Sequence, residues 1–208
     1  MPRPLFISFE GIDGCGKSTQ IKRVEDHLIS NGLSVTRTRE PGGSEGAETI
    51  RRLLVEGDPD RWSAETELLL FYAARRDHLE KTILPALSKG EIVLSDRFAD
   101  STRVYQGATR GDLRGTVDKL HDLVIGREPD LTLIFDMDPK VALQRGLARN
   151  SGEDRFEDFG IAFQEKLRDG FLALAQDFPD RCRIIDASQS IETVFEAVFA
   201  EIKKRIDQ

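Results

Sequence analysis

Apolar residues fall into two habits along this chain: short runs, and longer stretches in which they recur every three or four positions. The runs Leu5 to Glu10, Ser34 to Arg39, Ile92 to Ser95, Leu131 to Asp136 and Arg183 to Asp186 are rich in residues that pack well on a pleated surface, and they predict five strands. Lys17 to Asn31 and Glu65 to Leu87 read as amphipathic helices, the first stopped by Gly32 and the second near Gly90, where glycine can take the left-handed turn that ends a helix. Strands alternating with helices predict a parallel sheet covered on both faces.

In such a sheet the loops leaving the carboxyl ends of the strands open onto one crevice. Four of them are rich in glycine or charge: Gly11 to Ser18, Glu40-Pro41-Gly42-Gly43, Asp96-Arg97-Phe98 and Asp186-Ala187-Ser188. A further segment, Arg145 to Asp158, interleaves Arg145, Arg149 and Arg155 with Asn150, Gly152, Glu153, Asp154 and Glu157, a polarity that suits a lid over the crevice. No repeat, low-complexity tract or linker divides the chain, so one domain spanning 1–208, with a lid at about 145–158, is expected.

The first loop, Gly11-Ile12-Asp13-Gly14-Cys15-Gly16-Lys17-Ser18, fits the pattern G-x-x-x-x-G-K-[ST] at every fixed position. Its glycines let the backbone curl until successive N–H groups point at one anion, and the helix that follows adds its positive end. Lys17 supplies a mobile charge, and Ser18 a hydroxyl for Mg²⁺. A structural glycine-rich turn would not require the strand before and the helix after. The residues expected to hold ATP, the phosphoryl donor, are therefore Gly11, Ile12, Asp13, Gly14, Cys15, Gly16, Lys17, Ser18 and Thr19. The fold expected is an α/β three-layer P-loop NTPase fold: a five-stranded parallel sheet flanked by helices, with a short lid.

Which P-loop protein this is depends on the rest of the chain. Switch GTPases read guanine through Asn-Lys-x-Asp, but Asn31 and Asn150 are the only asparagines and neither precedes lysine. Ile92-Val93-Leu94-Ser95-Asp96-Arg97 is a strand ending in an acid and then a base. Asp96 beside the phosphate loop can orient Mg²⁺ and its waters, while Arg97 can grip a second phosphate with its planar fork. Alone, the pair has a less favoured alternative as a surface ion pair after a buried strand.

Charge and cysteine content narrow the setting. Against 37 Asp+Glu the chain has 30 Lys+Arg, a net charge of −7, which opposes binding to nucleic acid and makes each local arginine cluster informative. Cys15 and Cys182 stand far apart with no metal-ligand spacing, so neither disulfide nor zinc is expected and a reducing cytoplasm fits. No apolar stretch approaches the ~20 residues of a membrane span, and a soluble chain without a targeting segment is expected.

Asp96-Arg97-Phe98-Ala99-Asp100-Ser101-Thr102-Arg103-Val104-Tyr105-Gln106-Gly107 closely resembles the signature of thymidylate kinases, Asp-Arg-(Tyr/Phe/His)-x-x-Ser-x-x-Ala-Tyr-Gln, with Val104 in place of the usual alanine. Phe9-Glu10-Gly11-Ile12-Asp13-Gly14, Thr38-Arg39-Glu40-Pro41-Gly42-Gly43 followed by Glu48-Thr49-Ile50-Arg51, and Leu70-Phe71-Tyr72-Ala73-Ala74-Arg75-Arg76 agree with the same family, in order. The resemblance implies transfer of the γ-phosphoryl group of ATP to dTMP. By it, Phe71 stacks on thymine and Arg75 bonds its exocyclic oxygen. Arg97 and Arg51 hold the acceptor phosphate, Thr102 and Gln106 reach the base or its water, and Tyr105 crowds the sugar 2′ position. Pro41 and Ser101 belong to the same acceptor surface, and Asp13 and Glu40 sit near the sugar and the magnesium waters. Asp96 joins Ser18 as a metal residue. Because Gly14 stands where some members carry a catalytic arginine, the chain resembles the lid-arginine type, with Arg149 or Arg155 joining Lys17 and Arg97 in catalysis. Arg145 and Ala187 match adenine-contacting positions, and a homodimer through helices such as Glu65 to Leu87 is implied. Without the family, Phe71 would pass for core beside Leu68, Leu69 and Leu70, and Arg75 and Arg76 for a solvated helix face.

Two other readings stay open on the residues. A nucleoside kinase would need a base to activate a hydroxyl, and Glu10 or Asp13 could serve. A P-loop switch that transfers nothing would have no use for the separate acceptor-side arginines.

Overall fold

The computed structural model describes residues 3–58, 61–109, 113–147 and 160–207. Five strands, β1 (Leu5–Glu10), β2 (Val35–Arg39), β3 (Ile92–Asp96), β4 (Leu131–Asp136) and β5 (Cys182–Asp186), form one sheet in the order β2-β3-β1-β4-β5. All four pairings are parallel. Every residue of β1 is buried, as expected of a central strand covered on both faces. Its alternation sends Leu5, Ile7 and Phe9 into the larger core with Ile21, Leu28, Phe171 and Val198. Phe6 goes instead to a second core built from Leu68, Tyr72, Val93, Phe98 and Val117. Each such side chain contributes about 1.5–3 kcal/mol by leaving water. The period of two then puts Ser8 and Glu10 on the Phe6 face, which matters below.

The helices among the described residues are α1 (Lys17–Ser30), α2 (Glu45–Val55), α3 (Ala64–His78), α4 (Leu84–Ser88), α5 (Ala99–Val104), α6 (Arg114–Val124), α7 (Pro139–Leu147), α8 (Ile161–Asp177) and α9 (Ile191–Ile206). The helix expected at Glu65 to Leu87 runs from Ala64 to Ser88 but contains one π-helical turn, Leu79–Ile83. Pro85 has no N–H to donate one turn back, and the ladder widens just before it. Ser63 and Ser190 cap α3 and α9, each hydroxyl accepting from the backbone N–H three residues on at 3.2 Å. The expected strand starts at Ser34 and Arg183 move to Val35 and Cys182, and β3 continues through Asp96. No helix among the described residues is long and apolar enough to cross a membrane.

Candidate active site

The loop between β1 and α1 carries positive φ at Gly11, Gly14 and Gly16. Gly14 is held there twice over: its φ is +85°, and a Cβ would lie 1.9 Å from the carbonyl oxygen of Ala142 in α7. No side chain fits at that position without displacing α7. Lys17 folds back over the loop, its Nζ donating to the carbonyls of Gly11 and Ile12 at 3.0 Å each and standing 3.9 Å from Asp13 Oδ1. Ser18 Oγ donates to Asp96 Oδ2 at 3.0 Å. This hydroxyl–carboxylate pair at the mouth of a phosphate loop suits Mg²⁺, which takes a few protein oxygens and completes its shell with phosphate and water.

Beside Lys17 stands Arg97, which has a φ of 70°, a left-handed conformation that costs a non-glycine residue of order 1–2 kcal/mol. Neighbouring groups hold it there. Its N–H donates to the Phe9 carbonyl at 3.0 Å and its own carbonyl accepts from Ser95 Oγ at 2.7 Å. The following N–H, that of Phe98, donates to Glu10 Oε1 at 2.7 Å. The guanidinium thereby reaches back to the phosphate loop: Nη1 donates to the Gly11 carbonyl at 3.1 Å and to Ser101 Oγ at 2.9 Å, and Nη2 to Asp13 Oδ1 at 2.6 Å. Burial pushes the Asp13 carboxyl up, but the Arg97 and Lys17 charges outweigh it and bring its pKa to about 2. Glu10 goes the other way. Burial first and then the Asp100 carboxylate push it to about 7, against Arg97 and the Ser101 and Ser8 hydroxyls.

Helix α5 is turned by charges on its far side. Asp100 accepts from Arg103 Nη1 at 2.8 Å and Arg181 Nη2 at 2.9 Å, and Arg103 also binds Asp118 at 2.9 Å. With those residues facing away, Ser101 and Thr102 face the cavity. Thr102 Oγ1 accepts from Arg75 Nη2 at 2.8 Å, and Arg75 Nε donates to Glu40 Oε2 at 2.7 Å. The Arg75 guanidinium also lies 5.1 Å from the Tyr72 ring centroid and 5.3 Å from that of Phe98. Its Nη1 is buried without a hydrogen-bond partner. Such an atom is costly unless a ligand satisfies it.

One cavity of about 350 Å³ joins these groups, lined by Lys17, Ser18, Asp96 and Arg97 together with Arg51, Phe71, Arg75, Tyr105 and Gln106. Asp13, Gly14, Gly16, Glu40, Pro41, Ser101, Thr102 and Gly146 of α7 also border it. Phe71 is partly exposed on this wall while its neighbours Leu68 and Tyr72 are in the core. Arg51 Nη1 donates to the Pro41 carbonyl at 2.5 Å, and Gln106 Nε2 to Glu67 Oε1 at 3.0 Å. Tyr105 OH donates to Asp13 Oδ2 at 3.3 Å.

The remaining expected site residues make contacts of their own or lie outside the described residues. Glu40, expected beside the sugar and the magnesium waters, has both carboxylate oxygens engaged, by Arg75 and by His78 Nδ1 at 2.9 Å. Gly11, Ile12, Cys15 and Thr19 do not border the cavity, and Cys15 and Ile12 are buried beneath the loop. Arg145 Nη1 contacts Met137 Sδ at 3.5 Å, and Ala187 N donates to the Asp136 carbonyl at 2.9 Å at the carboxyl edge of β4. Arg149 and Arg155, with most of the expected lid, lie outside the described residues. Sequence reasoning missed His78 and Glu67. The signal for His78 was its spacing of three from Arg75 on one helix face.

A phosphate loop and a separately built arginine site bordering one cavity define a P-loop kinase whose acceptor is itself an anion. The comparisons with known proteins narrow that class. The family model for thymidylate kinase matches residues 9–198. A thymidylate kinase of Jannaschia sp. (strain CCS1) is 67% identical over 98% of both chains, and one of Caulobacter vibrioides is 52% identical over 99% of both. The crystal structure of thymidylate kinase from Ehrlichia chaffeensis superposes with a TM-score of 0.78 at 37% identity, covering 97% of this chain and 99% of that one. The chain belongs to the thymidylate kinase family.

Proposed function

We propose that the protein phosphorylates dTMP, taking the γ-phosphoryl group of ATP to give ADP and dTDP. The observation that carries this reading is that Lys17, at the start of α1, and Arg97, just after β3, border one cavity. The acceptor phosphate has a second pKa near ~6 and is largely a dianion at neutral pH, so its oxygen attacks without a strong base. The obstacle is bringing two polyanions into line, and the chain's contribution is charge and position.

In this reading the amides of Gly11 to Ser18 and the Lys17 ammonium hold the donor phosphates, and Arg97 and Arg51 hold the acceptor phosphate. Ser18 and Asp96 would hold Mg²⁺, which when bound neutralises charge on the transferring group. Phe71 offers its face to thymine, and the unpartnered Arg75 Nη1 donates to the exocyclic oxygen at position 4, a choice that disfavours the amino group of cytosine. Tyr105 and Gln106 line the sugar and base side, with Arg145 and Ala187 toward adenine. Arg149 or Arg155 would complete the charge when the lid closes and water is excluded. Activity as a homodimer in the cytoplasm belongs to the same proposal. Exposed Leu69 on α3 and Leu123 on α6, 57% and 80% accessible, support a second copy docking on that side.

A nucleoside kinase is disfavoured by its missing base. Glu10 is engaged by Ser8, Phe98 and Ser101 and does not border the cavity, and Asp13, with a pKa near 2, is a weak proton acceptor. The test is ADP release measured across all nucleoside monophosphates and thymidine. ADP release that depends on dTMP is expected. Turnover of thymidine without dTMP, or ADP release independent of any acceptor, would overturn the proposal.

A further inference from the structure

The orphaned donor of Arg75 is useful only if the guanidinium is held still, and the group holding it is itself held. Glu40 spends one carboxylate oxygen on Arg75 Nε at 2.7 Å and the other on His78 Nδ1 at 2.9 Å. His78 Nε2 lies 2.6 Å from Thr38 Oγ1 on β2. A carboxylate can only accept, so Nδ1 carries a proton toward Glu40, and Nε2 pairs with the Thr38 hydroxyl. Thr38, His78, Glu40 and Arg75 therefore form one unbroken line from the sheet edge to the cavity wall. The imidazole is fully buried, and the loop accommodates it: a Cβ on Gly43, whose φ is +85°, would fall 2.5 Å from Nε2. Thr82 Oγ1, on the π turn, donates to the Gly43 carbonyl at 2.6 Å and fastens the same loop to the helix that carries Arg75 and His78.

We infer that His78 is a positioning residue for base selection, fixing Glu40 and through it the direction of the free Arg75 donor. It touches no substrate. The inference rests on the assignment of Arg75 to the base made above. Without the imidazole, the freed Glu40 oxygen would turn to another donor, and the carboxylate would no longer hold the guanidinium edge in one plane. Charged hydrogen bonds of this kind are strong enough that losing the alignment is worth roughly tenfold in binding.

The experiment compares His78→Leu, His78→Asn and Thr38→Val with the wild type, using dTMP and dCMP as acceptors. His78→Leu should raise KM for dTMP roughly tenfold, narrow the preference for dTMP over dCMP, and leave KM for ATP unchanged. His78→Asn places an amide N–H near the Nδ1 position and should recover most of the loss. Thr38→Val keeps the test alive if His78→Leu does not fold, because it removes only the far end of the line. It should raise KM for dTMP a few-fold in the same selective way. Unchanged dTMP binding and unchanged base preference in the folded variants would overturn the inference while leaving the activity standing. A wild-type enzyme that ignores dTMP would instead remove the activity itself.

Discussion

Replacing Glu10 by glutamine isolates the cost of burying one carboxyl beneath the acceptor loop. Glu10 is fully buried, and desolvation together with Asp100 takes its pKa from 4.5 to about 7. Between those values the folded chain keeps a proton that the unfolded chain has lost. Stability therefore falls as pH rises through this window, and the loss is complete above about 7. At about 1.4 kcal/mol per pH decade the full separation amounts to about 3 kcal/mol. Glutamine keeps the shape: its oxygen can accept from Phe98 N–H and Ser8, and its amide can donate to Ser101 Oγ. Stability would be read from denaturant midpoints at a series of pH values with a constant slope. The stability of Glu10→Gln relative to the wild type should rise by about 2–3 kcal/mol from pH 5 to pH 8. Taking the difference cancels every other titrating group. Parallel curves for the two proteins would refute the argument.

Arg97→Ala should raise KM for dTMP roughly 10–100-fold with KM for ATP little changed, since its loss removes a charged fork from the acceptor side; equal damage to both would contradict that division. Phe71→Ala should weaken dTMP binding roughly tenfold while shifting the thermal midpoint little, because the ring lines the cavity and not the core. Chelation by EDTA should stop turnover and added Mg²⁺ restore it, and turnover that persists would remove the metal from Ser18 and Asp96. Gly170→Ala should cost about 1–3 kcal/mol by overpacking, because a Cβ there would lie 2.9 Å from Val104 Cγ1. In a Val104→Ala background the cost should largely vanish, and strict additivity in denaturation would refute the contact.

That last pair illustrates what the sequence does and does not disclose. Val104 stood out at once as a departure from alanine in an otherwise matching stretch, but its counterpart, Gly170, looked like any helical glycine until α8 was seen to cross α5. The phosphate loop was readable because its chemistry is local: backbone amides, three glycines and one lysine act within a single turn. The three central strands were readable for a similar reason, each being a buried run, while the edge strands β2 and β5 are only partly buried. What holds the acceptor side is not local. Glu10 meets Phe98 across 88 positions, Asp13 meets Arg97 across 84, and Arg75 meets Glu40 across 35. No periodicity marks such pairs, so nothing in the sequence told that Glu40, expected near the sugar and the magnesium waters, also braces an arginine at the cavity wall. His78 was overlooked because a spacing of three from Arg75 says little by itself, and its meaning came from what stands on either side of it. In this chain the residues that would touch substrate repeat a motif, whereas the residues that aim them are recognisable only by the geometry they enforce. Substitutions at His78, Glu67 and Glu10 should therefore separate tuning of the acceptor site from the chemistry itself more cleanly than changes at Lys17 or Arg97.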